Sequence, residues 1–340
     1  MGRCRRCWKK PRPPPRCRRS DVRDRRGKGS RKLVLVTSLG LALGVVGFAA
    51  TAPEKLLDAE YARQRWLAGA EVTQFNVAGH RWSALEAGQG AGKPLVVLVH
   101  GFTGSKENWL PLMRELSKSY RVLAPDLPGW GESERQPGSD YGPVAQSERL
   151  ATFLGALPEK PALLVGHSMG GQIVGLMAAR HPGLVDRISL MSSAGVRYQE
   201  NAFANAVLAG QNPFQVTSKA ELKRYLGIVF MDPPFVPWPA NEALVRRRRA
   251  DAQFEQQVLD GIGRGPDAFA LEEELANIRA HTLLLWCRDD RVIDVSAAEV
   301  FHRGLASSAT VILAGCGHMP MMAQPRQVAG AIGDFLDARG

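Results

Sequence analysis

The chain has 340 residues, 45% hydrophobic and 23% charged, which fits one large globular domain or two small ones. Its net charge of +11 suggests a nucleic-acid binder until the charges are placed along the chain. Residues 1–32 hold 15 Lys and Arg against Asp21 and Asp24, so this tail carries +13 and the other 308 residues −2, which excludes a basic nucleic-acid-binding core.

The tail shows no apolar periodicity and is expected to be disordered. Its Cys4, Cys7 and Cys17 lack a fourth ligand and a nearby His, so no metal site is expected there. Leu33–Ala52 then runs for 20 residues without a charge. As a helix it would span about 30 Å, the thickness of a bilayer's hydrocarbon core. With a basic block in front, the positive-inside rule predicts a single transmembrane anchor over 33–52, its N-terminus cytoplasmic and its catalytic part extracytoplasmic (periplasmic). The competing reading is a cleaved signal sequence, since Ala50-Thr51-Ala52 has the A-x-A form, and the product would then be secreted. Pro53 and the length of the run favour the anchor.

From Glu54 the pattern alternates between strands and helices. EVTQFNVAG and RWSALEAG read as an antiparallel pair about Gly79-His80. PLVVLVH, RVLAPD, PALLVGH, RISLMSS, HTLLLWC and ATVILAG read as further strands, interleaved with helices near 109–119, 144–157, 170–180, 296 onward and 327–338. Such alternation predicts an α/β fold: a mostly parallel sheet of about eight strands with helices on both faces. The alternation breaks over 196–279, a mostly helical, Pro-rich stretch read as a cap inserted after strand 6. The core is then 53–195 plus 280–340, with the cap over the strands' carboxyl ends, where such sheets bind ligands.

The chemistry falls at those ends. Strand PALLVGH runs into Gly166-His167-Ser168-Met169-Gly170-Gly171 and then a helix, so G-x-S-x-G stands in its required strand–turn–helix context. A serine hydroxyl needs a base. Among seven histidines, His80 falls in a turn, His181 and His302 lie at or inside helices, His167 is expected to point away from the serine, and His100 to shape a loop. His318, in Gly315-Cys316-Gly317-His318-Met319-Pro320 after strand VILAG, is the expected base. It needs a carboxylate to hold its tautomer. Of Asp289, Asp290 and Asp294, Asp290 is favoured because Trp286-Cys287-Arg288-Asp289-Asp290 places it where W-G-x-x-D would. His100-Gly101-Phe102-Thr103 after the third strand suggests an oxyanion hole from the N–H groups of Phe102 and Met169, each donor worth about 3–4 kcal/mol of barrier. Cys287 and Cys316 flank the acid and the base, and in an oxidising exterior such a pair can close a disulfide.

The order Ser168, Asp290, His318, together with LVHGF, the turn Asp126-Leu127-Pro128-Gly129-Trp130-Gly131-Glu132-Ser133, GHSMGG and GHMPMMAQP, resembles the α/β-hydrolase superfamily from about Phe75 to the C-terminus. HGFTGSKENWL, SSAGVRYQ and Asp290-Arg291-Val292-Ile293-Asp294-Val295-Ser296 most resemble the membrane-anchored monoacylglycerol lipases and related bacterial lipases. Cys287 departs from the usual glycine, and Ala323 stands where many relatives have glutamate. The resemblance implies a serine hydrolase cleaving medium- or long-chain carboxylic esters, of the monoacylglycerol type, through an acyl-enzyme and with no cofactor or metal. Its partners would be a lipid or ester substrate and the bilayer. In the cap, Phe203, Phe214, Phe230, Met231, Phe235 and Trp238 are candidates for the substrate pocket, the alternative being that they form the cap's own core. Arg246–Arg249, which cannot share one helix face, read as a solvated charged surface. Two other functions remain open: a C–C bond hydrolase of aromatic meta-cleavage products, and a catalytically silent anchored binding module.

Overall fold

The computed structural model describes residues 47–338, together with Arg12 and Ser38. The basic tail and its three cysteines, and most of Leu33–Ala52, lie outside the described residues. Among those described, no helix is long and apolar enough to cross a membrane. The described residues from Pro53 onward form one compact unit.

That unit opens with a helix the sequence pattern did not predict, α1 (Pro53–Ala68). It buries only Pro53, Leu57 and Ala68, so no apolar stripe announces it. Ion pairs hold it instead, as described below. β1 (Ala70–Val77) and β2 (His80–Ala87) follow as an antiparallel pair, Val77 opposite His80. β3 (Leu95–Val99), α2 (Leu110–Leu116), β4 (Arg121–Pro125), α3 (Pro143–Gly155), β5 (Leu163–His167), α4 (Met169–Arg180) and β6 (Arg187–Met191) continue the alternation. α5 (Ala202–Leu208), α6 (Lys219–Val229), α7 (Ala240–Arg264) and α8 (Ala270–Glu274) lie between β6 and β7 (His281–Cys287). α9 (Ser296–Gly304), β8 (Ser308–Leu313), α10 (Pro320–Ala323) and α11 (Pro325–Asp337) complete the chain.

The eight strands form one sheet in the order β1-β2-β4-β3-β5-β6-β7-β8. Only β2 pairs antiparallel to both its neighbours; β3 to β8 run parallel. The central strands LVVLV and LLVGH are buried at every position, as continuous apolar runs in a sheet covered on both faces must be. The edge strands β1 and β8 alternate instead, with one face toward solvent. α4 buries 11 of its 12 residues because it follows the central strand β5 and packs against both α3 and α8. On the β1–β2 side the core closes on stacked Trp82 and Phe153, ring centroids 4.6 Å apart.

Cys287, the last residue of β7, is disulfide-bonded to Cys316, just beyond β8, with Cα atoms 5.4 Å apart and both side chains buried. The sequence left this pairing open. The bridge closes a loop of 29-residue separation, which by the chain-entropy relation stabilises the fold by about 3–4 kcal/mol. Replacing both cysteines by serine should therefore lower the melting temperature by roughly 5–10 °C, measured by circular dichroism. Reductant should lower that of the parent and leave the variant's unchanged; equal melting temperatures throughout would refute the assignment.

Candidate active site

Ser168 caps the N-terminus of α4 with φ 56° and ψ −121°, a left-handed backbone that a serine adopts only under constraint. The constraint is visible in its hydrogen bonds. Its N–H donates to Met191 at 3.0 Å, and its carbonyl accepts from Gly171, Gln172 and Ala194 at 2.9–3.2 Å. The loop after β3 lies directly against this turn. A Cβ at Gly170 would meet the His100 carbonyl oxygen at 2.4 Å, and one at Gly101 would meet Ser168 Cβ at 2.9 Å. Glycine at both places is what lets the 100–103 loop bring Phe102 beside Ser168.

His318 and Asp290 are buried together. His318 Nδ1 lies 2.9 Å from Asp290 Oδ2 and 3.1 Å from Oδ1, and Oδ1 also accepts the N–H groups of Val292 and Ile293 at 2.9 and 3.1 Å. The carboxylate is thereby oriented by its own loop and takes the Nδ1–H, which leaves Nε2 as the basic ring nitrogen. Asp289 is exposed, and Asp294 accepts the Ser296 N–H at 2.9 Å at the start of α9. Ser168 and His318 line the same small pocket, of about 20 Å³, with Gly101, Phe102, His167, Asn108 and Tyr225. Phe102 and Met169, with Ser168, also line a much larger cavity of about 400 Å³.

Two further histidines support this arrangement. His100 accepts the Leu127 N–H on Nε2 at 3.0 Å and donates from Nδ1 to the Gly101 carbonyl at 2.8 Å, so it ties the 100–103 loop to the turn at 126–133. His167 Nε2 donates to the backbone carbonyl of His318 at 2.7 Å, linking the serine turn to the His318 loop. Burial lowers His100 to about 4 and, with His318 beside it, takes His167 well below the ordinary 6.5.

Nothing in the sequence pattern signalled the ion network beneath the 100–109 loop. Lys106 is wholly buried, its Nζ 2.7 Å from Asp126 Oδ2 and 3.0 Å from Glu132 Oε2, while its backbone N–H donates to Asp126 Oδ1 at 2.6 Å. Arg65 of α1 joins from outside, paired with Glu107 and, at 3.4 Å, with Glu132. Losing one member of such a buried pair strands the other charge, typically at about 3–5 kcal/mol.

The cavity's walls differ from the aromatic set expected. Phe203 and Phe214 line it, but Phe230, Met231, Phe235 and Trp238 do not. Phe230 is buried against the Gly317 loop, and the other three are exposed. Much of the wall consists of small and aliphatic residues, among them Ala194, Gly195, Ala204, Val207, Ile262 and Gly263. The four arginines also depart from a plain charged surface. Arg246 pairs with Glu54 and Glu242, Arg247 with Asp58, Arg248 with buried Glu255 and the Phe214 carbonyl, and Arg249 with the Thr217 carbonyl. Pointing different ways, as the helical spacing requires, each fastens a different segment. Among the described residues no three His, Cys, Asp or Glu side chains gather as a metal site would need.

A single mostly parallel sheet with a serine on a strained strand-to-helix turn, sharing a pocket with a buried His–Asp pair, defines an α/β hydrolase. The chain belongs to the alpha/beta hydrolase family, whose model matches residues 96–331. It is similar to monoacylglycerol lipase ABHD6 of Rattus norvegicus, 28% identical over 309 residues, covering 87% of this chain and 92% of that one. It is 32% identical over 263 residues to 2-hydroxymuconate semialdehyde hydrolase of Pseudomonas sp. (strain CF600), covering 73% and 88%. Among solved structures it is similar to a membrane phospholipase A described as a bacterial virulence factor, with a TM-score of 0.81 at 36% identity over 91% of this chain and 98% of that one. A lipase-like hydrolase is the coarse function these likenesses support.

The buried neutral histidines give a pH prediction. Their folded affinities for protons lie below those in the unfolded chain, so protonation favours unfolding. The stabilisation is complete above about pH 7 and is lost as pH falls through 6.5 toward 4, His100 alone accounting for about 2 kcal/mol at pH 5. Urea unfolding at pH 7.5 and pH 5 should show this loss. A His100→Asn chain should lose about 2 kcal/mol less between the two; an identical pH dependence would contradict the account.

Proposed function

We propose that the protein hydrolyses carboxylic esters of medium or long acyl chains, of the monoacylglycerol type, with Ser168 as nucleophile, His318 as base and Asp290 as the carboxylate that orients it. The observation carrying this reading is that Ser168 stands between two unequal spaces. His318 lines the 20 Å³ pocket and is absent from the 400 Å³ cavity walls.

In acyl transfer Ser168 Oγ bonds to the ester carbon and its proton passes to His318 Nε2. The same proton then goes to the leaving alkoxy oxygen as the C–O bond breaks. The alcohol must therefore depart on the His318 side, and the acyl group must extend the other way, into the large cavity. At about 400 Å³ the cavity falls in the size range of small-molecule sites, room for one acyl chain. The N–H groups of Phe102 and Met169 would receive the oxyanion. Water entering from the small pocket, activated by His318, would then release the fatty acid.

The basic residues 1–32 ahead of the uncharged Leu33–Ala52 support a membrane tether with the hydrolase on the extracytoplasmic side, and the Cys287–Cys316 disulfide fits an oxidising compartment. The similarity to 2-hydroxymuconate semialdehyde hydrolase favours a second reading, C–C bond cleavage of dienoate ring-fission products.

The deciding measurement is hydrolysis of glycerol and nitrophenyl esters from two to sixteen carbons by the detergent-solubilised full chain. Rates should peak at medium or long chains, and Ser168→Ala should lower them by about 10⁶-fold. Fastest turnover of acetate, or of a coloured dienoate, would defeat the proposal. Val207→Phe, which fills the cavity wall, should cut kcat/KM for twelve-carbon and longer esters about tenfold and spare butyrate.

A further inference from the structure

We infer that residues 231–238 of the cap form a bilayer-docking loop that seats Phe235 and Trp238 in the lipid interface. The segment Met231-Asp232-Pro233-Pro234-Phe235-Val236-Pro237-Trp238 presents its large apolar side chains to solvent: Phe235 is 89% exposed, Met231 48% and Trp238 46%. Apolar surface of this size, gathered in eight residues with one charge, is costly in water unless something covers it. Trp and Phe prefer the membrane–water boundary, and three prolines both stiffen the loop and remove backbone donors that would otherwise lose water on entering lipid.

The placement selects the bilayer over other covers. α7 begins at Ala240, directly after the loop, and its Arg246 and Arg247 are paired with Glu54 and Asp58 of α1. Along α7, Arg246 and Arg247 lie about 10 Å from Ala240. Glu54 stands two residues beyond Ala52, where the uncharged run ends. The exposed loop thus leads directly into the helix whose second turn is tied to Glu54, two residues beyond the uncharged run. The direction the loop faces rests on the tether reading; its exposure does not.

Docking there would also bear on the site. The root of the loop presses on the loop that carries the base: a Cβ at Gly317 would meet the Val229 carbonyl oxygen at 2.9 Å and the Met231 nitrogen at 3.1 Å. Val229 and Tyr225 are walls of the small pocket assigned to the leaving alcohol. A lipid surface at residues 231–238 would therefore lie on the side where the alcohol part of a membrane-resident ester must approach.

The test uses the full chain reconstituted in phosphatidylcholine vesicles, with flotation reporting the tether and fluorescence reporting the loop. Vesicles with brominated acyl chains should quench the emission that Trp238→Phe removes by at least half. The double variant Phe235→Ser/Trp238→Ser, outside the cavity, should float as before and hydrolyse soluble butyrate ester within twofold of the parent. Its rate on a vesicle-embedded long-chain ester should fall about tenfold. A floated protein whose Trp238 is not quenched overturns the docking loop even if the tether stands. Self-association abolished by Phe235→Ser would assign the loop to a second copy and overturn it as well. If the chain proves inactive on every ester, the quenching measurement alone decides.

Discussion

The whole site depends on one strained turn. With φ at 56°, Ser168 sits in a conformation that costs of order 1–3 kcal/mol and persists only if its neighbours over-determine it. They do so by closeness. The His100 carbonyl occupies the space a side chain at position 170 would need, and Gly101 is pressed against Ser168 itself. The same crowding that strains the backbone also holds Phe102 in the wall of the pocket that Ser168 lines, one packing arrangement with two results. Its support runs outward through His100 to the 126–133 turn and through the buried Lys106–Asp126 pair to Arg65 on α1.

How much of this could be read from the sequence follows from how local each feature is. The serine turn and the loops that hold Asp290 and His318 are each written in six or seven consecutive residues at a strand's end, so residues 168, 290 and 318 could be named as candidates without coordinates. The β1–β2 hairpin and the buried strands were equally plain, since their periodicities are short-range. α1 was not legible, because a helix held by Glu54, Asp58 and Arg65 to residues far along the chain shows no apolar stripe. Nor was Lys106, whose partner Asp126 is 20 positions away and whose burial contradicts its composition.

The cavity illustrates a different limit. Aromatic residues in the cap drew attention to Phe230, Met231, Phe235 and Trp238, yet none of the four is a wall of it. A cavity is space, and space is made where side chains are small: Ala194, Gly195, Ala204 and Gly263 are inconspicuous in a sequence for the same reason that they leave room. Conversely, the conspicuous aromatics are free to serve elsewhere, at the surface. The arginine run carried a similar ambiguity. Helical spacing correctly denied it a common face, but only the partners show that it fastens α1, the Phe214 wall and the 217 turn to α7.

The arginines of α7 therefore act by two chemically different means, some joining the cap to α1 and one bracing the cap internally. Toward the first turns of α1, exposed ion pairs join α7 to that helix; such pairs are individually weak, of order 0–1 kcal/mol, and screened by salt. Toward the cavity, Arg248 is largely buried, paired with Glu255 at 2.5 Å and bonded to the Phe214 carbonyl at 2.7 Å, so it holds the wall's shape. Separating α7 from α1 would break the weak set alone, but α7 also meets the core through Asp251, paired with Arg135 at 2.8 Å, and through Phe254, packed on Trp130 and Tyr141. The cap is thus fastened most firmly where Phe254 and Arg248 meet buried partners, and most weakly where its arginines reach α1.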